Sequence, residues 1–401
     1  MQHFYTPLQI SFMSLLIKNI GELFDGYRII KNTSIYIEDG KIKSIGKETK
    51  ADEIIDASKK FVMPGFVDCH THTIFAGYRD FEVEWKVEGL SYKEIAEKGG
   101  GIAYTVEKTR KASKEKLKEE TMERINEMVA HGTTTVEIKS GYGLNAENEM
   151  KLLEAINELK EEMLIDIIPT FLAHAIPKDM DSDNYTDYII NEMLPEVGER
   201  KLAKFCDVFC EAGYFNVEQS RKILMEAKKY GMLPKIHADE FACIGCSRLA
   251  AEIKAASADH LLATSEKEMK LLASSNVVAT LLPATPFVLN EGYPDARKML
   301  SHGVTIALAT DMNPNCYTLN MQFIVQLACY KMRMKPLDAL KSATLNAAKA
   351  LRMDDVIGSI EVGKKADLLI MDVPSHTFIP YKMGVNLVEK VIKGGRIIYS
   401  K

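Results

Sequence analysis

Between Phe61 and about residue 350 the sequence repeatedly changes texture. A short apolar run rich in β-branched and aromatic residues gives way to a longer amphipathic stretch, and then the pattern starts again. Runs at residues 61–67, 133–138, 166–171, 205–210, 233–237, 257–260, 277–282 and 305–309 read as strands. Helical periodicity fills the spaces between them, as at 113–131, 146–162 and 217–230, with Gly132 and Gly231 where helix C-caps belong. Eight strand–helix units over about 280 residues predict an α/β fold of the (β/α)8 TIM-barrel type, whose usual size is roughly 250 residues.

The two ends of the chain share a different texture. Ser34-Ile-Tyr-Ile alternates, Asp39-Gly40 is a tight-turn pair, and Lys41-Ile-Lys-Ser-Ile alternates again. Near the other end, Asp367 to Met371 is apolar, and short strands flank Gly394-Gly395. Neither end has enough apolar residues to fold alone. The expectation is one small discontinuous β-sandwich domain from residues 13–60 and 353–401, beside a barrel at 61–352. The opening residues have neither a basic n-region nor a long apolar core, so no signal peptide or membrane span is expected, and Met13 is a candidate start.

A barrel places its chemistry at the C-terminal ends of its strands, and most of the histidines fall there. The first strand ends in His70 and His72, the third near His174, the fifth in His237 and the sixth in His260, while Asp311 follows the eighth. Residues two apart on an extended chain point the same way, so His70 and His72 can grip one ion. A His-x-His pair alone is equally compatible with one packed and one solvated ring; the later residues decide it. His70, His72, His237 and Asp311 form an economical set for a single divalent ion, zinc or iron (Fe2+/Fe3+). Glu240 and His260 are the expected proton carriers, and Asp311 can share that task. A second ion would need a bridging group. The fourth strand ends in Cys210-Glu211 rather than lysine, so one ion is expected, with Glu211 as the outside candidate for another. Cys243 and Cys246 lack a matching second pair and are expected to be ordinary buried thiols.

Composition narrows the class. A net charge of −5 argues against nucleic acid as a partner, and seven scattered cysteines among 401 residues suit a reducing, cytoplasmic setting.

These residues carry a resemblance. PGFVDCHTH is similar to the first-strand signature of the amidohydrolase superfamily, and GSIEVGKKADLLIMD to its C-terminal one. HTHTIFAGYR, TTTVEIKSGYGL, FLAHAIP, KIHADEF, SADHL and LATDMNPN resemble the imidazolonepropionases within it, over nearly the whole chain from Leu15. The resemblance implies hydrolysis of the ring C–N bond of 4-imidazolone-5-propanoate to N-formimidoyl-L-glutamate, in histidine degradation, by a homodimer. A substrate with a carboxylate tail calls for a fixed cation, and Arg79 stands just beyond the histidine pair. Tyr92 and Tyr142 could add hydroxyl donors. The resemblance gives Arg79, Tyr142, His174, Glu240 and Asn313 as substrate contacts. It departs after Asn313-Pro314, where the family has glycine and then a small hydroxyl residue but this chain has Asn315 and Cys316. Backbone contacts from those two are expected to persist, while a hydroxyl's role at Cys316 is in doubt. A glycine hinge at Gly99-Gly100-Gly101 makes residues 88–104 a candidate lid.

Two other readings stay open on the residues alone. One is a deaminase of the same fold, against which Arg79 argues. The other is a non-catalytic scaffold barrel, against which the intact ligand set argues.

Overall fold

Gly65 parts two sheets in the computed structural model, which describes residues 14–401, apart from the side chains of residues 92 and 93; Met13 lies outside this range. The run read as one strand over residues 61–67 is two. Phe61–Pro64 pairs into a sheet built from the chain ends, and Phe66–Asp68 is the first barrel strand. A Cβ at Gly65 would lie 2.8 Å from the Thr134 Cβ, so only glycine lets the chain cross so close to the second barrel strand.

The end sheet has strand order Arg396–Ser400, Val388–Lys393, Leu368–Met371, Phe61–Pro64, Leu15–Phe24, Ile29–Glu38, Lys41–Ile45, with Glu53–Asp56 pairing to Leu15–Phe24. Its own apolar cluster draws on both ends of the sequence: Ile17, Ile20, Ile35 and Ile37 meet Leu368, Ile370 and Ile392. It is also tied to the barrel by charge. Lys393 Nζ lies 2.7 Å from both Asp367 and Asp166, and Asp166 opens the third barrel strand.

The expected barrel is present. Its parallel strands follow chain order: Phe66–Asp68, Thr133–Lys139, Asp166–Ala173, Phe205–Cys210, Ile236–Ala238, Ser257–His260, Val278–Leu281 and Ile306–Leu308. The run at 233–237 is interrupted, with Leu233–Pro234 pairing separately with the fourth strand. The circle closes through a parallel bridge between Thr71 and Met312. His72 N donates to Met312 O at 2.8 Å and Asp311 N donates to His70 O at 3.1 Å. Closure therefore brings the histidine pair beside an aspartate about 240 residues away in sequence.

The helices obey local rules. Ser113 caps Lys114–Ala130 through Lys116 N, and Asn145 caps Ala146–Glu162 through Asn148 N. Gly132 follows the first of these helices at φ +102°, as a left-handed C-cap. Among the described residues no helix is long and apolar enough to cross a membrane. The cysteines differ from expectation. Cys243 is exposed, and Cys246 forms a disulfide with Cys210, their Cα atoms 5.9 Å apart. The fourth strand's end and the helix Cys246–Ile253 are adjacent on the barrel rim, a juxtaposition that spacing along the chain does not reveal.

Candidate metal centre

The strand ends deliver a cluster of imidazoles into the barrel mouth. His70 Nε2 lies 3.3 Å from His72 Nε2, and Asp311 Oδ1 lies 3.6 and 3.5 Å from those same nitrogens. Four ligand atoms held tetrahedrally about 2.0–2.2 Å from an ion stand roughly 3.3–3.6 Å from one another. The spacing of these three atoms matches three corners of such a shell. His70 also belongs to a second set with His237 and His260, whose ligand atoms lie within 4.8 Å of one another. The donor set of imidazoles and one carboxylate, all 0–3% exposed, fits a divalent ion.

Burial decides the charge of these groups. It drives His70, His72 and His260 well below the usual imidazole range, with neighbouring rings and Lys139 adding to the effect, so the rings are neutral and free to ligate. Burial lifts Asp311 to about 6, against a hydrogen bond from Thr285 Oγ1 at 2.5 Å. Glu240 is raised well above the carboxylate range by burial and then by the charges of Asp311 and Glu211. It keeps a proton where a surface glutamate would not. Its Oε1 lies 3.7 Å from His260 Nδ1.

One cavity joins His72, Arg79, Tyr142, His174, His237, Glu240, His260, Asp311, Asn313 and Asn315, residues the sequence reading had singled out. Arg79 is 3% exposed and held in a fork: Nε and Nη2 donate to the two oxygens of Glu82 at 2.7 and 2.8 Å. His174, pushed down to about 3 by burial, has Nδ1 3.2 Å from Gly141 O. Asn313 Nδ2 donates to Asp311 O at 2.7 Å. Asn315 Oδ1 is buried without a partner, and the Asn315 carbonyl accepts from Lys86 Nζ at 3.2 Å.

One predicted contact, Cys316, does not line the cavity. Cys316 is 1% exposed with its thiol 4.0 Å from Thr310 O. Tyr92 opens the short helix Tyr92–Glu97, but its side chain lies outside the described residues. Glu211 Oε2 accepts from Phe241 N at 2.9 Å and so holds the loop that carries Glu240.

Other residues around the cavity are ones that the sequence alone does not single out. Glu82 orients Arg79. Glu149 accepts from Gly141, Gly143 and Leu144 N at 2.7–2.8 Å, which fixes the loop bearing Tyr142. Asp259 Oδ2 lies 2.6 Å from His70 Nδ1, and Asp207 Oδ2 lies 3.0 Å from His237 Nδ1. Such carboxylates turn a histidine's other nitrogen toward an ion. The signal for these last two was present: Asp207 interrupts the apolar run Phe-Cys-Asp-Val-Phe-Cys, and a charge inside a buried strand always needs a reason.

The amidohydrolase family model matches residues 61–398. Imidazolonepropionase from Clostridium tetani (strain Massachusetts / E88) is 46% identical over 393 residues, covering 95% of this chain and 94% of its own. The one from Thermoanaerobacter pseudethanolicus is 48% identical over 383 residues, covering 94% and 91%. Among solved structures, 5-methylcytosine deaminase from Klebsiella pneumoniae aligns with TM-score 0.76 at 18% identity over 96% of this chain and 98% of its own. An adenosine deaminase from Xanthomonas campestris with bound zinc aligns with TM-score 0.75 at 19% identity, covering 96% and 92%. Those two likenesses speak to the fold.

Proposed function

The chain belongs to the amidohydrolase family and to the imidazolonepropionases within it, and from that premise we propose how its residues divide the hydrolysis of 4-imidazolone-5-propanoate. The observation that carries the proposal is the convergence of His70, His72 and Asp311 at ion-shell spacing, with His72 and Asp311 lining one cavity together with a buried arginine.

His70, His72, His237 and Asp311 would hold one divalent ion, zinc or iron. Bound there, the ion supplies Lewis-acid activation of a water, whose pKa falls to about 7 on such a centre. Asp311 sits against that position and accepts the water's proton. Glu240, whose burial favours the protonated form, gives a proton to the leaving ring nitrogen. His260, 3.7 Å from Glu240, steadies that carboxyl group and the oxygen that develops on the attacked carbon.

Arg79 takes the propanoate tail. Its fork is already held by Glu82, so little rotamer entropy remains to be lost on binding. Tyr142 and His174, side by side with ring centroids 5.3 Å apart, form the wall against the imidazolone ring. Asn313 and Asn315 line the same cavity. The resemblance further implies a cytoplasmic homodimer, which sedimentation would test.

The test is loss of imidazolone absorbance on adding ion-loaded protein. Turnover that stops on chelation and returns with zinc or ferrous iron supports the reading. Ammonia released from nucleobases in its place would point to a deaminase.

A further inference from the structure

Beneath the proposed ligands lies a set of charges that no step above uses. Glu137 and Lys139 sit two apart on the second barrel strand, Asp207 on the fourth, Lys235 just before the fifth and Asp259 on the sixth, and all five are 0% exposed. Barrel interiors are ordinarily filled by branched aliphatic side chains. Replacing buried ion pairs by apolar residues of similar volume is often neutral or stabilising, so stability alone does not account for five buried charges.

The contacts have a direction. Glu137 is the shared acceptor: Lys139 Nζ lies 3.0 Å from Oε1, Thr170 Oγ1 donates to Oε1 at 2.6 Å, and Lys235 Nζ reaches Oε2 at 2.5 Å. Lys235 also donates to Cys69 O at 2.8 Å, directly beside His70. Lys139 then lies 2.8 Å from Asp207, and the two ammonium groups stand 3.9 and 3.8 Å from Asp259 Oδ2. Asp207 and Asp259 are the two acids that face Nδ1 of His237 and His70. The chain of contacts runs from Glu137, through two lysines, to two aspartates, to two rings whose other nitrogens are left for the ion.

We infer that Glu137 is a positioning residue for the metal centre, holding Lys139 and Lys235 so that Asp207 and Asp259 fix the orientation of His237 and His70. A carboxylate behind a ligating histidine sets both its tautomer and its ring plane. Glu137 does the same for the carboxylates, one layer further down. The inference rests on the ion site proposed above.

Two variants of the full chain test it. Glu137→Gln keeps shape and removes the charge; Thr170→Val removes one hydrogen bond and spares every charge. Each is titrated with Co2+ alone against a competing chelator, and the visible spectrum of the bound Co2+ is recorded. Glu137→Gln is expected to bind Co2+ roughly 10–100-fold more weakly, with shifted bands and a fall in kcat at little-changed KM. Thr170→Val should move the same way by less. Parent-like Co2+ affinity and spectrum in both variants, with only the melting temperature lowered, would overturn the role. Should Glu137→Gln not fold, Thr170→Val decides: weakened Co2+ binding supports the inference and parent-like binding overturns it. A parent protein that binds neither Co2+ nor Zn2+ would remove the ion site itself, and this role with it.

Discussion

Glu82 grips Arg79 with both carboxylate oxygens, at 2.7 and 2.8 Å, and one of those oxygens also accepts from Gly101 N at 2.7 Å. The cation proposed to bind the tail is thereby tied to the first residue of the helix Gly101–Lys111, which follows the Gly99–Gly101 turn.

Arg79→Ala should raise KM with kcat nearly unchanged, because the tail is held alike in ground and transition states. Losing a charge-assisted contact of about 1.5–3 kcal/mol corresponds to a rise of roughly 10–100-fold. Glu82→Gln should raise KM by less. Steady-state kinetics check both, and a fall in kcat at constant KM would contradict this role for Arg79.

Asp311→Asn and His237→Ala should abolish turnover while leaving circular dichroism and the unfolding midpoint close to the parent's. Both residues face the cavity rather than the packed core of the barrel wall. Elemental analysis should show less bound ion in each.

Glu240→Gln should lower kcat by roughly 10²–10⁴-fold, the usual worth of a positioned proton donor, with substrate still bound. The sign of the pH effect follows from burial, which raises the pKa of Glu240. The group holds its proton to higher pH than an ordinary glutamate and loses it as pH rises further, so parent activity should decline on the alkaline side. That decline should be absent from the residual activity of Glu240→Gln.

Asp166 gives a pH effect of the opposite sense. Burial works to raise its pKa, but Lys393 and Lys365 outweigh burial and hold it below the usual carboxylate value. A depressed carboxylate adds stability above its unfolded pKa of about 3.9, and that stability is lost as pH falls through the folded value. Lys393→Met should therefore cost about 1–3 kcal/mol at pH 7, leaving Asp166 and Asp367 short of a buried partner. The difference from the parent should shrink below about pH 4. Urea unfolding at the two pH values measures it.

The sequence revealed the parts of this molecule that repeat or that carry chemistry at a strand's end. Alternating texture predicted the barrel, and strand-end histidines pointed to the mouth where the structure gathers them. What it hid was set by contacts between distant segments. The run from Phe61 looks continuous because both halves are apolar and buried, and only the close approach of Thr134 to Gly65 separates them. Cys210 and Cys246 lie 36 residues apart, and nothing in their spacing announces that they meet. Glu82 and Glu149 lie in helices whose side chains the structure turns inward to serve loops at the mouth, a placement that the local sequence does not show. Glu137, Lys139 and Lys235 did leave a trace: charges in strands that otherwise read as wholly buried.

The most direct test follows the absorbance of 4-imidazolone-5-propanoate with the full-length protein in three states: ion-loaded, chelated, and chelated then resupplied with zinc or ferrous iron. The account predicts substrate loss with N-formimidoyl-L-glutamate formed in the first state, none in the second, and recovery in the third. Ion-loaded protein that leaves the substrate intact, or turnover indifferent to chelation, would contradict it.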